Sequence, residues 1–330
     1  MNELLTESRA ASEPSAPKRI RLAHRLARAG DPLFYGLTLA SAASILVITG
    51  WLVYQLYVNC EETRRQFGWS FLVGRNWDPV AGDFGALPFI YGTIVTSIIA
   101  LLIATPLGIS AAIFLAELVP PRLSSVLAFL VDLLAAVPSV IYGLLGIFLL
   151  VPFLSSTVVP VLQKAVGFLP IFSGPFYGVS LFSAGIVLAV MVIPFIVSIS
   201  REVLLAVPQA QREASFALGS THWETVWKVV LPHARRGIYA SVFLALARAL
   251  GETMAVTMVI GNAPEISKSL LAPGYSIAAA VANEFTEATE NLHLSALVEL
   301  GLVLFAITIV INGLARLLIL ATARGQGHHG

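Results

Sequence analysis

The sequence predicts an all-α integral membrane protein with six spans and an ordered connection between the fourth and fifth. Three observations carry that expectation. Of 330 residues, 57% are hydrophobic and only 12% charged, against ~25% charged in an ordinary soluble domain. Six apolar runs reach the ~20 residues a helix needs to cross the ~30 Å hydrocarbon core. The hydrophilic stretch 201–236 is long for a connection, yet it carries helix start and stop signals throughout.

Taken in order, residues 1–32 are hydrophilic: Ser, Pro and Ala first, then the basic run KRIRLAHRLAR at Lys18–Arg28. They read as a partly disordered start and a basic juxtamembrane anchor. The spans follow at Leu33–Val58, Leu87–Leu115, Leu123–Val151, Ser180–Ser200, Gly237–Gly261 and Leu292–Leu320, so the membrane domain is 33–320 and the tail 321–330. The first apolar run is longer than the ~7–15 residues of a signal-peptide core, so no cleavable signal is expected. Pro106 with Gly108, Pro138 with Gly143 and Gly146, and Pro194 interrupt the second, third and fourth spans. Membrane helices tolerate such breaks where neighbours or a cavity satisfy the freed backbone. The single cysteine, Cys60, leaves no internal disulfide and no cysteine-rich metal site.

Lys and Arg set the orientation. With the N-terminus cytoplasmic, the inner segments hold 14 of the 20 cations and the outer loops hold five: Arg64, Arg65, Arg75, Lys164 and Lys268. Both termini are therefore expected inside. The remaining cation, Arg248, lies with Glu252 inside the fifth span, where a charge costs on the order of 2.5–3.5 kcal/mol on insertion scales.

The connection reads REVLLAVPQAQREASFALGSTHWETVWKVVLPHARR. Pro208 starts a helix and Gly219 stops it. Thr221-His-Trp-Glu224 then fits a capping box, and the second helix is expected to end before Pro232. Ala210, Ala214 and Ala217 give the first helix a smooth, narrow face, suited to insertion into a groove on another protein. His222 and His233, flanking the second helix, have no partner spaced for a metal site and read as solvated.

Glu213-Ala214-Ser215, Gly219 four residues after Ser215, and then Val229-x-Leu231-Pro232 resemble the EAA signature of ABC-importer permeases. Ser215 stands for the second alanine and Val229 for isoleucine. The resemblance implies a type I importer bundle of six helices whose cytoplasmic loop docks into a cleft on an ATPase dimer. It makes Glu213, Ala214, Ser215, Gly219, Leu231 and Pro232 the coupling residues. The chain has no G-x-x-x-x-G-K-[ST] loop and no Gly-Lys pair, so hydrolysis is expected on a separate chain. The chain itself is not expected to be an enzyme. No cofactor, metal or nucleic acid is called for.

Two further stretches, AVPSVIYGLLG at Ala136–Gly146 and ARALGETMAV at Ala247–Val256, resemble the phosphate-importer permeases, the PstC type in particular, over roughly residues 85–320. That resemblance implies a bacterial inner-membrane complex. Its parts are a second homologous permease, the ATPase dimer and an extracytoplasmic phosphate-binding protein, and its cargo is inorganic phosphate. The sister permease of such systems carries a related loop and charged span. Beside the resemblance, Arg248 and Glu252 are four residues apart and so lie on one helical face, about one turn apart. Arg offers a planar fork to an oxyanion. Glu252 would hold it when no anion is present, with Ser139, Tyr142 and Thr253 as neutral donors. A static ion pair that locks the bundle is the competing reading of the same two charges. Asp132 is expected to cap or pair locally, and Glu299, near the outer end of the sixth span, to face water. Rival functions remain a permease for sulfate or molybdate and an ion-coupled secondary transporter. The latter leaves the ordered connection without a role. An intramembrane phosphoryl-transfer enzyme is disfavoured by the lack of a nucleophile–base pair near Arg248.

Overall fold

The computed structural model describes residues 18–324. The disordered start expected before Lys18 and the tail beyond Arg324 lie outside them. The chain forms two compact units, Met1–Gln55 and Leu56–Gly330. Helix α1, Lys18–Asn59, takes in the basic segment and the first apolar run, with Pro32 inside it. Its apolar part, Phe34–Asn59, is long enough to cross a membrane and exposes its side chains.

The second unit begins with two short helices, α2 at Glu61–Phe67 and α3 at Ser70–Val73. A small hairpin follows, β1 at Trp77–Asp78 against β2 at Asp83–Phe84, with Trp77 opposite Phe84. With an isolated bridge between Gly261 and Gly274, it is the β-structure among the described residues. Then come α4, Leu87–Ile113, widened by a π turn at Phe114–Leu118; α5, Pro121–Ala135; and α6, Ser139–Leu145. The third apolar stretch continues through α7, Val151–Phe153, and α8, Val159–Val166, with π turns at Gly146–Leu150 and Leu154–Val158. Helix α9 is Leu181–Leu205 and α10 is Gln209–Ala217. Helix α11, His222–Thr225, runs through a π turn at Val226–Val230 into α12, Leu231–Leu250. Helices α13, Met254–Ile260, α14, Ile277–Glu284, and α15, Asn291–Arg324, complete the chain.

Five helices are long and apolar enough to span, or six when the bent pair His222–Leu250 and Met254–Ile260 counts as one. The third span differs from the expectation. It is Ser139–Val166, not Leu123–Val151. Pro138 has no N–H to donate and pushes the residue before it out of the helical region, so α5 ends at Ala135, three residues earlier. At 15 residues α5 is ~22 Å long, too short to cross. The longer connection still contains Arg122 as its one cation, while Lys164, counted with the outer loops, falls in the last turn of the span.

Helix α9 is the axis of this unit. Leu188, Met191, Val192 and Ile196 are buried against Ala100 and Ala104 of α4, Ala245 and Ala249 of α12, and Ala255 and Val259 of α13. Small residues permit this approach. A Cβ on Gly185 would collide with Ile99 at about 2.5 Å. A second cluster, built on Phe71, Phe84, Phe89, Tyr275 and Leu297, caps one end of the bundle. A third, with Ala112, Leu204, Val207, Val230 and Ile238, closes the other, beneath α10.

Candidate functional site

Two places in the unit gather the residues singled out in the sequence. The first is the connection between α9 and α12. Pro208 caps α10, and Gly219 ends its turn at φ +83°, a conformation that costs other residues roughly 1–2 kcal/mol. Thr221 Oγ1 accepts from the Glu224 N–H, and Glu224 returns to the Thr221 N–H at 3.0 Å, forming the expected capping box. The helix so started does not end before Pro232. It continues unbroken to Leu250. Pro232 follows directly on the π turn Val226–Val230, within the first two positions of α12, where the ladder is already displaced and a missing N–H is tolerated.

The faces of α10 are sharply divided. Ser215 is buried, and its hydroxyl meets Thr225 Oγ1 at 2.9 Å, tying α10 to α11. Ala210, Glu213, Ala214 and Ala217 are exposed, Leu218 is 88% exposed, and Phe216 stacks on the exposed His222 ring. Leu231 and Pro232 are half-buried at the base of α12.

Sequence reading missed the residue that fixes this element. Arg212 Nη2 donates to Glu117 Oε1 at 2.7 Å and to the Leu204 carbonyl, while Nη1 donates to the Val207 carbonyl at 2.9 Å. The two side chains are only 12% and 6% exposed. One guanidinium thus joins α10, the C-terminal end of α9 and the turn after α4. The available signal was a pair of opposite charges, Glu117 and Arg212, on two segments both assigned to the same side of the membrane. Asp132 and Arg201 do similar work nearby. Asp132 Oδ1 accepts from Ser198 at 2.7 Å, and the Arg201 guanidinium donates to Ser124.

The second place is the middle of the fifth span. Residues 251–253 break it, and the two halves are inclined at 63°. Arg248 and Glu252 therefore do not share a helical face, and among the described residues no ion pair joins them. Arg248 sits in the last turn of α12, where the helix dipole favours a cation. Its guanidinium lies 5.6 Å from the Phe195 ring centroid. Among the described residues its N–H groups have no acceptor. Glu252 Oε1 accepts from the Ala255 N–H at 3.2 Å, capping α13.

Tyr142 donates to the Leu134 carbonyl at 2.7 Å, so its hydroxyl bridges the Pro138 break rather than standing free. Ser139 opens α6, half-buried, and Thr253 bends back toward the Gly251 carbonyl. The two characteristic stretches meet: a Cβ on Gly143 would lie about 2.6 Å from Met258 Sδ and 3.2 Å from Ala255 Cα. Gly251 is exposed, as are Leu244 and Met254 at 52% and 53%. The break thus opens on the surface of this chain. Irregular backbone at membrane depth is tolerated where it lines a cavity or is covered by protein.

With this geometry in hand, the chain can be set beside known proteins. The family described as "Binding-protein-dependent transport system inner membrane component" matches residues 104–323. The phosphate transport system permease protein PstC of Mesorhizobium japonicum is 47% identical over 88% of this chain and 90% of its own length. The protein of the same name from Pasteurella multocida is 45% identical over 89% and 90%. One of the solved structures, a bacterial alginate ABC transporter in complex with a pentasaccharide-bound periplasmic protein, shares the fold at 17% identity. Its TM-score is 0.55, with 89% of this chain and 96% of that chain covered.

Proposed function

This chain belongs to the family of binding-protein-dependent transport system inner membrane components, and from that premise we propose that it is one permease subunit of an ATP-driven phosphate importer. As a transport component of the inner membrane it is not an enzyme. The energy comes from a separate ATPase dimer docked on the exposed alanine face of α10. An extracytoplasmic binding protein delivers phosphate, and a second homologous permease covers the open break at 251–253. Arg248 supplies the anion contact. The observation that carries this reading is a guanidinium held inside a span with no carboxylate partner among the described residues, next to a break that faces outward. Such a charge is stabilised locally by the helix end and the Phe195 ring and keeps its hydrogen-bond donors for an oxyanion.

The anion contact and α11 lie on one continuous helix, and α10 is tied to its foot by the Ser215–Thr225 hydrogen bond. Movement of α10 and α11 with the ATPases is passed through α12 to the break, so the path opens to one side at a time. Reconstituted with its partner subunits, the complex is expected to take up labelled phosphate on ATP addition and to leave labelled sulfate and molybdate outside. Equal uptake of sulfate would move the assignment to a general oxyanion permease.

The proposed sidedness has its own test. A cysteine placed at Ser220 is expected to react with impermeant thiol reagents only from the cytoplasmic side, and one at Asp83 only from outside. The native Cys60 will not interfere, since it is fully buried and burial pushes its thiol pKa up. The reversed pattern would invert the topology and detach α10 from any cytoplasmic ATPase.

A further inference from the structure

A groove of about 830 Å³ runs along the second unit, away from Arg248 and from α10. Its walls are apolar: Ile94 of α4, and Val303, Ile307, Val310 and Ile311 of α15. Two charges interrupt them at one end. Glu299 does not face water, as its position in the sequence suggested. It is 8% exposed, lines the groove, and its Oε2 is buried with no hydrogen-bond partner among the described residues. Arg64 of α2 lines the same end. Its guanidinium lies 3.8 Å over the Tyr57 ring, and its Nη1 donates to the Tyr57 carbonyl, while Nε and Nη2 have no acceptor among the described residues. Trp69, 86% exposed, stands beside them, an aromatic of the kind that sits at head-group depth.

We propose that this groove is a phospholipid site selective for a head group carrying a phosphate and a primary ammonium together. Arg64 takes the phosphate as a charge-assisted donor. Glu299 takes the ammonium, which supplies the N–H its Oε2 lacks. One acyl chain lies along α15 from Glu299 to Ile311, a length of ~18 Å. Charge complementarity fixes the class. A trimethylated ammonium has no N–H to give, and an anionic head group engages Arg64 but brings no ammonium to Glu299. A buried carboxyl oxygen without a hydrogen-bond partner is what a membrane protein avoids, so an occupant that satisfies it is favoured over an empty groove.

Native mass spectrometry of the protein in its assembly, delipidated in mild detergent and titrated with single lipids, tests the proposal. Phosphatidylethanolamine is expected to be retained about tenfold better than phosphatidylcholine or phosphatidylglycerol, the scale of one charge-assisted hydrogen bond. Glu299→Gln brings phosphatidylethanolamine down to the phosphatidylcholine level, and Arg64→Gln weakens all three lipids together. If a variant fails to assemble, the wild-type ranking decides alone. Equal retention of the three lipids, preference for phosphatidylglycerol, or no retained lipid because a partner's helix fills the groove would each overturn it.

Discussion

Arg248→Gln is expected to abolish phosphate uptake, by about a hundredfold or more, while the complex still assembles. The size follows from removing a bidentate, charge-assisted contact worth about 3 kcal/mol. Arg248→Lys keeps the charge and loses the planar fork, so its uptake is expected to fall by about tenfold. The structure sharpens the double substitution Arg248→Leu with Glu252→Leu. Were the two charges a lock, the double variant would recover what each single variant lost, because removing one half of a buried pair strands the other. No such pair is present, and Glu252 instead caps α13. Glu252→Leu is therefore expected to cost about 1 kcal/mol of stability on its own, with no rescue of transport in the double variant. Uptake is measured in vesicles and assembly by co-purification. Normal uptake by Arg248→Gln, or restored uptake in the double variant, would remove Arg248 from the path.

Arg212→Leu is expected to have the largest effect on stability. It leaves Glu117, whose side chain is 6% exposed, buried and unpaired, at a cost of about 3–5 kcal/mol, and frees the Leu204 and Val207 carbonyls. Helix α10 then loses its attachment to α9, and the ATPase subunits should no longer co-purify. Adding Glu117→Leu removes the stranded charge, so thermal stability should return to within about 1 kcal/mol of wild type while ATPase attachment stays impaired. A single Arg212→Leu variant as stable as the parent would show that the pair is dispensable.

Most of the fold was legible because apolar length is a local property. The capping box at Thr221 and the turn at Gly219 follow from residue type alone. The third span was misplaced because apolar content runs straight through Pro138, and hydropathy does not register a missing N–H. The same blindness hid the break at 251–253. Gly251 is a weak signal inside an apolar run, and four-residue spacing then suggested a pair that the bend prevents. Arg212–Glu117 and the burial of Glu299 depend on packing between distant segments. No window of sequence contains that information.

The continuous helix from His222 to Leu250 has a mechanical consequence. At 29 residues it is a strut of ~43 Å, with α10 tied to its foot through Ser215 and Thr225 and Arg248 at its head. A flexible connection would absorb a push from below as loop motion. This strut has no loop, and the π turn at Val226–Val230 widens the helix without interrupting it. If the foot pivots by only ~10°, the head sweeps ~7 Å, more than one helical turn. The joint at 251–253 sits where that sweep is greatest, so α13 can stay packed against α6 while Arg248 changes its surroundings. In the proposed importer, a short stroke at the foot of this helix is thereby geared up into a long stroke at Arg248.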